Sequence, residues 1–428
     1  MGRPKIGIVS GILNPRYGGP PAVIRGHIRG LGSRAEVKVF GVQDPGDEAE
    51  LRGLYPGCEL FPRAFPKRWF RGQGLRQALV EQAPGLDLLH AHMLWDHTVW
   101  ATAHAARSAK VPFIVSPHGN ILNVEPWWPP HKVAYREIVL KPLLKNCAFV
   151  HALSEREAEG CRRFGVVCPI RVIPNGLPLS DYSLRRDPEL ALETWPALRG
   201  RRVLLFIGRL APLKGLDMLL NAWSRCLHDP SLRDWILVIA GHDYRGYAQQ
   251  VALQVKALGL EGSVILPGPV LGALKQSLLG HAEAFALPSR TEGFSVALLE
   301  ALSASLPCVY TTECHFSDLA KKGGGWEVQP NAGDLSEALE LALRQTPERL
   351  KSMGAAGNAL GRAKYSLERV ADQLLDMYRT ALGRRGLPPP RNAGLAYHKN
   401  GAQKGRGPAQ TAVQFSWRRT GGGWARPA

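Results

Sequence analysis

Along the first 380 or so residues, short runs of apolar and β-branched residues alternate with longer stretches whose apolar positions recur every three to four residues. The short runs predict strands at 6–10, 37–42, 87–91, 113–116 and 149–153, and again at 203–207, 235–240, 263–266, 284–287 and 308–311. The longer stretches predict helices at 21–31, 216–227, 247–258 and 295–305. Strands that are apolar throughout are buried on both faces, which requires parallel sheets covered by helices on each side. The class is α/β. The pattern restarts near residue 201, because Lys5-Ile-Gly-Ile-Val-Ser-Gly and Arg202-Val-Leu-Leu-Phe-Ile-Gly both read as a first strand ending at a glycine turn. Two doubly wound, Rossmann-like domains facing a cleft are expected, the first over 1–178 and the second over 179–365. The stretch 173–200 is rich in Pro, Gly and charge and reads as the linker. A last helix over 366–383 carries apolar residues at 367, 370, 371, 374, 375, 378 and 381–382, enough for one buried face.

Composition narrows this picture. The 428 residues suit two or three domains, and 45% hydrophobic against 21% charged residues supplies an ordinary core. A wholly disordered, collagen-like or disulfide-scaffold protein is excluded. The net charge is +18, but residues 384–428 hold nine basic side chains and no acid, leaving +9 on the rest. That tail has little to bury and is expected to be disordered. The remaining charge is not the footprint of a dedicated nucleic-acid binder. The seven cysteines are scattered without a C-x-x-C pair, so reduced thiols in a cytosolic compartment are expected. The start lacks the apolar stretch and cleavage site of a signal peptide, and no apolar run approaches the ~18 residues of a membrane span.

Four constellations carry candidate chemistry. In Ala286-Leu-Pro-Ser-Arg-Thr-Glu-Gly-Phe-Ser-Val a buried strand ends, a polar loop follows and a helix starts near Ser295. Glu292 lies in the loop and Glu300 in the second helical turn, with the amides of Gly293, Phe294 and Ser295 between them as helix-start donors suited to an anion. Two carboxylates beside a phosphate would repel it unless each grips hydroxyls, so a sugar ring and a ribose flanking a diphosphate fit all three features. In Gly208-Arg-Leu-Ala-Pro-Leu-Lys-Gly, Arg209 and Lys214 leave a loop between strand and helix, where both cations can converge on a leaving diphosphate. This is not a Walker A loop, since Gly215 follows Lys214 where Ser or Thr is needed. Gly18 and Gly19 of Tyr17-Gly-Gly-Pro-Pro-Ala-Val follow the first strand and allow close backbone approach, with a helix starting at Pro20 or Pro21. The spacing is not G-x-G-x-x-G, which disfavours a dinucleotide dehydrogenase. His118 of Ser116-Pro-His-Gly-Asn ends a strand at the cleft edge, where an imidazole can bond a hydroxyl or shuttle a proton. His92 and Trp95 follow another strand end, together with His90. With no third metal ligand at useful spacing, acceptor lining and plain packing both stay open.

On these residues the sequence resembles the family-4 retaining glycosyltransferases of the GT-B fold, from about residue 6 to 383, and most of all the bacterial members that assemble lipopolysaccharide or exopolysaccharide. The resemblance implies that Glu292 and Glu300 form the Glu-x7-Glu motif, the first contacting the donor sugar and the second the nucleotide ribose. It implies a pyrophosphate clamp of Arg209 and Lys214, a donor-facing glycine loop at Gly18 and Gly19, and His118 near the donor sugar. It also implies a final helix crossing back toward the first domain. The co-substrate would be a nucleotide-diphosphate sugar, with no metal, because cations and helix amides replace the divalent ion. Val172-Ile-Pro-Asn-Gly, Ala240-Gly-His-Asp and Pro267-Gly-Pro-Val match as well. The sequence departs at Ser305, where relatives have Gly, and in the loop 313–318.

The implied activity is hexosyl transfer, with retained configuration, to a growing bacterial and often lipid-linked glycan. Basic aromatic segments at 66–76, 127–132 and 141–145 could bring such an enzyme to an anionic membrane, and a solvated face is the plain alternative. The rival from another class is a non-catalytic sugar-nucleotide or glycan-binding component of an assembly complex. RNA binding has only the charge in its favour, since no nucleic-acid motif is present.

Overall fold

The computed structural model describes residues 2–121, 129–176 and 188–383, together with the backbone of 419–420 and 423–424. Two sheets organise the body. The first contains β1 (Lys5–Ser10), β2 (Glu36–Gln43), β3 (Glu59–Ala64), β4 (Arg71–Gly72), β5 (Leu88–His92), β6 (Phe113–Ser116), β7 (Phe149–Ala152) and β8 (Ile170–Val172). Its order is β4-β3-β2-β1-β5-β6-β7-β8, parallel except for the short β3–β4 pair. The second contains β9 (Arg202–Ile207), β10 (Trp235–Ala240), β11 (Val264–Gly268), β12 (Ala284–Leu287), β13 (Cys308–Thr311) and β14 (Gly325–Val328), in the order β11-β10-β9-β12-β13-β14. In each sheet the order in which strands are added reverses beside the first strand, between β1 and β5 and between β9 and β12. Ligands of open α/β sheets bind outside the carboxyl ends of strands at such switch points. The candidate residues lie at or just beyond the carboxyl ends of β1, β5, β6, β9 and β12, except Glu300, which sits on the helix beyond the β12 loop.

These strands form because they can be covered on both sides. β10 is buried at every position, and Leu204, Leu205, Phe206, Leu237, Val238 and Phe285 centre one core with the helices Leu216–Cys226 and Ala332–Leu343. The first sheet has two separate cores, one on each face. One of them is completed from far along the chain. The helix Leu367–Gly383 lays Val370, Leu374, Met377 and Tyr378 over Ile6, Ile8, Ile24 and Phe149. Its close approach to the helix Gly19–Leu31 depends on Gly30, where a Cβ would sit 2.9 Å from the Leu367 carbonyl oxygen.

The linker expectation needs correction. Residues 188–200 belong to the second domain: the helix Pro188–Thr194 buries Ala191 in that core, and the Ala191 amide donates to Ser277 Oγ at 2.8 Å. Residues 177–187 lie outside the described residues, as do Trp127 and Trp128 and, four positions apart, the tail 384–428. Both sheets lie in one compact unit. A second unit contributes, among the described residues, the antiparallel pair Arg419–Thr420 with Gly423–Trp424. All seven cysteines are buried and free. No described helix is long and apolar enough to cross a membrane.

Candidate active site

The loop after β12 is the centre of the site. Glu292 forms an ion pair with Lys214 and accepts a hydrogen bond from the buried Ser289 hydroxyl at 2.6 Å. Lys214 reaches it because the turn Pro212–Lys214 is pressed onto this loop. Gly215 has φ +66°, and a Cβ there would stand 2.1 Å from the Pro288 carbonyl oxygen. Arg290 completes the clamp: its amide donates to the Leu213 carbonyl at 2.8 Å and its guanidinium grips the Asp217 carboxylate with two bonds of 2.7 Å. Arg209 lies elsewhere. It is exposed, its guanidinium over the Tyr244 ring at 5.2 Å. Lys214 is thus joined to the Glu292 carboxylate, while Arg209 rests on Tyr244.

The helix after the loop begins at Val296, with the Ser295 hydroxyl capping it by accepting from the Leu298 amide at 3.2 Å. The amides of Gly293, Phe294 and Ser295 therefore precede the helix instead of opening it. The Phe294 ring turns inward onto Phe316 and Tyr365, at 4.9 and 5.5 Å between centroids, so only its backbone stays available to a ligand. Glu300 is buried and holds Lys275 at 2.6 Å. Each glutamate of the pair thus has its own lysine. Lys275, on the helix Gly272–His281, escaped sequence reasoning although it follows directly on the Pro267-Gly-Pro-Val loop.

The first domain meets this loop directly. A Cβ on Gly293 would lie 2.9 Å from the Cα of Gly119, and the Ser154 hydroxyl donates to the Gly293 carbonyl at 3.2 Å. Farther out, Arg156 pairs with Glu313 and bonds His315 Nε2 at 2.9 Å, tying the domains through the loop 313–318. Gly119 also donates its amide to Glu157, whose other oxygen accepts from the Leu153 amide at 2.7 Å. Burial raises the Glu157 carboxyl to about 7.

His118 sits at this junction with φ +54°, and its Nε2 lies 2.8 Å from Nδ1 of His92. His92 is fully buried, so it backs His118 and does not line an acceptor path. His90 stacks on His92 at 4.4 Å, and His27 and His151 complete a five-ring cluster. Burial lowers all five below the ordinary imidazole range, His118 to about 3 and His151 to about 4. Trp95 donates its indole N–H to the Asn120 carbonyl at 3.0 Å and packs on Tyr135 and Phe164, with the Lys132 ammonium over it at 5.2 Å.

The glycine loop is braced from outside. Arg16 takes both Asp47 oxygens at 2.9 and 2.7 Å and Asp44 at 2.6 Å, while Tyr17 donates to Asp44 at 2.8 Å. Gly18 follows at φ +88°, the helix starts at Gly19, and Gly19 faces Val296 of the second domain, where a Cβ would lie 3.4 Å from its Cγ2. Two domains therefore bring a glycine turn, an imidazole, a paired lysine and carboxylate, and three loop amides to the facing ends of their sheets. Such a set can hold a bipolar ligand, anionic at one part and hydroxylated at another.

Comparisons with known proteins agree with this architecture. Residues 18–176 match the family described as glycosyl transferase 4-like domain, and residues 193–359 match glycosyl transferases group 1. The chain is 33% identical to a D-inositol 3-phosphate glycosyltransferase of Streptomyces griseus, over 72% of this chain and 70% of that one. It is 28% identical to the GDP-mannose:cellobiosyl-diphosphopolyprenol alpha-mannosyltransferase of Komagataeibacter xylinus, over 72% and 75%. The crystal structure of Anabaena HepE in complex with UDP and glucose superposes with a TM-score of 0.73 at 18% identity, covering 88% of this chain and all of that one. Two Rossmann-like domains facing each other across their strand ends define the GT-B class. The chain belongs to the family-4 type of GT-B glycosyltransferases.

Proposed function

We propose that the protein transfers a hexosyl unit from a nucleotide-diphosphate sugar, with retention of configuration, to a lipid-linked bacterial glycan. The observation that carries this reading is the Lys214–Glu292 pair on the β12 loop, set beside the junction of Gly293 with His118 and Gly119. On binding, the donor diphosphate would take Lys214 from Glu292, and Arg209 would swing in from Tyr244 as a second cation. Glu292 would then be free to accept from sugar hydroxyls, with the amides of Gly293, Phe294 and Ser295 facing the phosphates. Glu300 would hold the ribose, with Lys275 fixing its carboxylate. Gly18 and Gly19 would let the first domain approach the phosphates. As the glycosidic bond breaks, charge grows on the leaving diphosphate, and fixed cations and N–H dipoles there act on the transition state. They supply the positive charge that a divalent ion gives in other transferases, so activity should persist in excess chelator.

The named relatives support the substrate class: one acts on a polyprenol-diphosphate-linked acceptor, and a structural neighbour was solved with UDP and glucose. A lipid-linked acceptor calls for a membrane-facing surface. The aromatic residues expected to face it, Trp69 and Phe70, are instead packed, Trp69 on Tyr135 and His97 and Phe70 on Tyr17. Phe65 and Ile138 are the ones that stand out, 82% and 74% exposed, among exposed Lys67, Arg68, Arg71 and Lys132. The proposed location is the cytoplasmic face of the membrane, with this patch against anionic lipid, each cation contributing about 1 kcal/mol. The test supplies donor with a glycolipid extract in excess chelator and determines the mass and anomeric configuration of the product. A one-hexose addition with the donor's anomeric configuration supports the reading. An inverted product contradicts retention, and transfer to soluble sugar alone contradicts the lipid-linked acceptor.

A further inference from the structure

The histidines behind His118 form a relay whose proton positions can be read from one end. His151 Nε2 lies 2.8 Å from the Ile173 carbonyl oxygen, which can only accept, so His151 carries its proton there. A neutral ring then offers Nδ1 as a lone pair, and the Ser116 hydroxyl 2.7 Å away must donate to it. Ser116 has spent its hydrogen, so it accepts from His90 Nε2–H at 2.7 Å. His90 Nδ1 is then bare and accepts from the Tyr378 hydroxyl at 2.8 Å. Every group in this line is fully buried and every one is satisfied, with Tyr378 delivered by the helix Leu367–Gly383.

The neighbouring pair is settled by its unpartnered atom. His92 Nδ1 and His118 Nε2 share one hydrogen, and His92 Nε2 is buried without a partner among the described residues. Were His118 the donor, neutral His92 would carry its proton on Nε2 and bury an orphan N–H. With His92 the donor, the orphan is only a lone pair. Buried N–H groups without acceptors are the rarer and costlier of the two. His118 then accepts at Nε2 and bears its proton on Nδ1.

We propose that His92 is a positioning residue that fixes His118 in the Nδ1–H tautomer, so that this imidazole meets the donor sugar as a neutral hydrogen-bond donor. The sugar as its partner rests on the function proposed above; the tautomer does not. The ionisable groups that face the pair are His27 from the helix Gly19–Leu31, His90 on the strand of His92, His151 on β7, Tyr378 on the last helix, and Glu157 through the Gly119 amide. Among the charge effects acting on His92 and His118, the neighbouring imidazoles all oppose protonation.

The test uses the full chain labelled with 15N in histidine only, with His118→Gln identifying the His118 signals by their loss. The expected wild-type spectrum shows His118 protonated at Nδ1, bare at Nε2, and unchanged from pH 7.5 to 6. In His92→Phe the ring loses the donor that fixes it, and a fraction of His118 carries its proton on Nε2 instead. His92→Asn, whose amide N–H can replace Nδ1–H, keeps the wild-type tautomer. Donor turnover is read in parallel: it falls several-fold in His92→Phe and is kept in His92→Asn. A wild-type proton on Nε2 overturns the proposal, as does a His118 tautomer that His92→Phe leaves unaltered. His92→Asn behaving like His92→Phe overturns it too. Should His92→Phe not fold, the wild-type tautomer and His92→Asn still decide. A correct tautomer with no turnover of any donor contradicts the proposed function and leaves the histidine pair standing.

Discussion

At the scale of single residues, the account turns on how two lysines and two glutamates are shared out. Lys214 leaving Glu292 for a diphosphate means that the cation acts most where charge develops. Lys214→Ala is expected to lower kcat/KM by a factor of 10² to 10³, about 3–4 kcal/mol of transition-state stabilisation. The fold should survive, because Ser289 still bonds the carboxylate it leaves behind. Lys275 acts differently, by holding a carboxylate assigned to the ribose. Lys275→Met should raise the donor KM several-fold with little change in kcat, which steady-state kinetics over a donor range will show. The motif positions were legible because chain-local patterns carry them: a loop between strand and helix, a glutamate eight residues before another, a Gly-Arg and a Lys-Gly. Their pairing was not. Lys214 and Glu292 are 78 residues apart, and the five clustered histidines come from four places in the sequence.

Elements hold those residues in place through close backbone approaches. Gly215 joins the turn Pro212–Lys214 to the helix Leu216–Cys226, with a left-handed φ and the Pro288 carbonyl against its Cα. Gly215→Ala combines strain with a collision. It should destabilise the protein by about 2 kcal/mol or more, visible as a lowered Tm, and displace the Lys214 contact. Gly293→Val acts at the contact with Gly119. It should lower kcat with a nearly unchanged Tm, since the clash falls on the surface between the sheets and not in either core. Ten strands were readable because each contains a short apolar or β-branched run, and most are buried along nearly their whole length. β3, β4, β8 and β14 escaped notice: β4 has only two residues, the positions of the others are mostly half-buried, and all four carry charge or a proline (Glu59 and Pro62, Arg71, Arg171, Glu327). The helix Pro188–Thr194 reads as linker because it is only seven residues long and lies in a stretch rich in Pro, Gly and charge.

For the whole molecule, the buried imidazoles make folding depend on pH. The five clustered rings have pKa values below that of an unfolded histidine, so on acidification the unfolded chain binds protons that the folded one refuses. Stability is full above about pH 7 and falls as pH drops through the unfolded value of about 6.5. Each neutral ring loses about 1 kcal/mol between pH 6.5 and 5.5. Glu157 and Asp96, raised to about 7 and about 6, act in the opposite sense, because the folded state takes up their protons first. The net expectation is a loss of roughly 3 kcal/mol over that unit, a large share of the stability of a typical domain. Urea midpoints measured at pH 7.5, 6.5 and 5.5 will show it, and a constant midpoint would mean the rings are hydrated.

That two domains close on one another was readable from the restart of the strand pattern; that the last helix supplies Tyr378 to the histidines of the first was not, because nothing in the helix's own sequence names its partner. The central claim is that the Lys214–Glu292 loop binds and activates a nucleotide sugar. The most direct measurement is release of nucleotide diphosphate from a panel of UDP-, GDP- and ADP-sugars by the wild-type protein, Lys214→Ala and Glu292→Gln, with glycolipid extract present and absent. The account predicts release from one donor, increased by extract and lost at least 10²-fold in both variants. Release that both variants retain would contradict it.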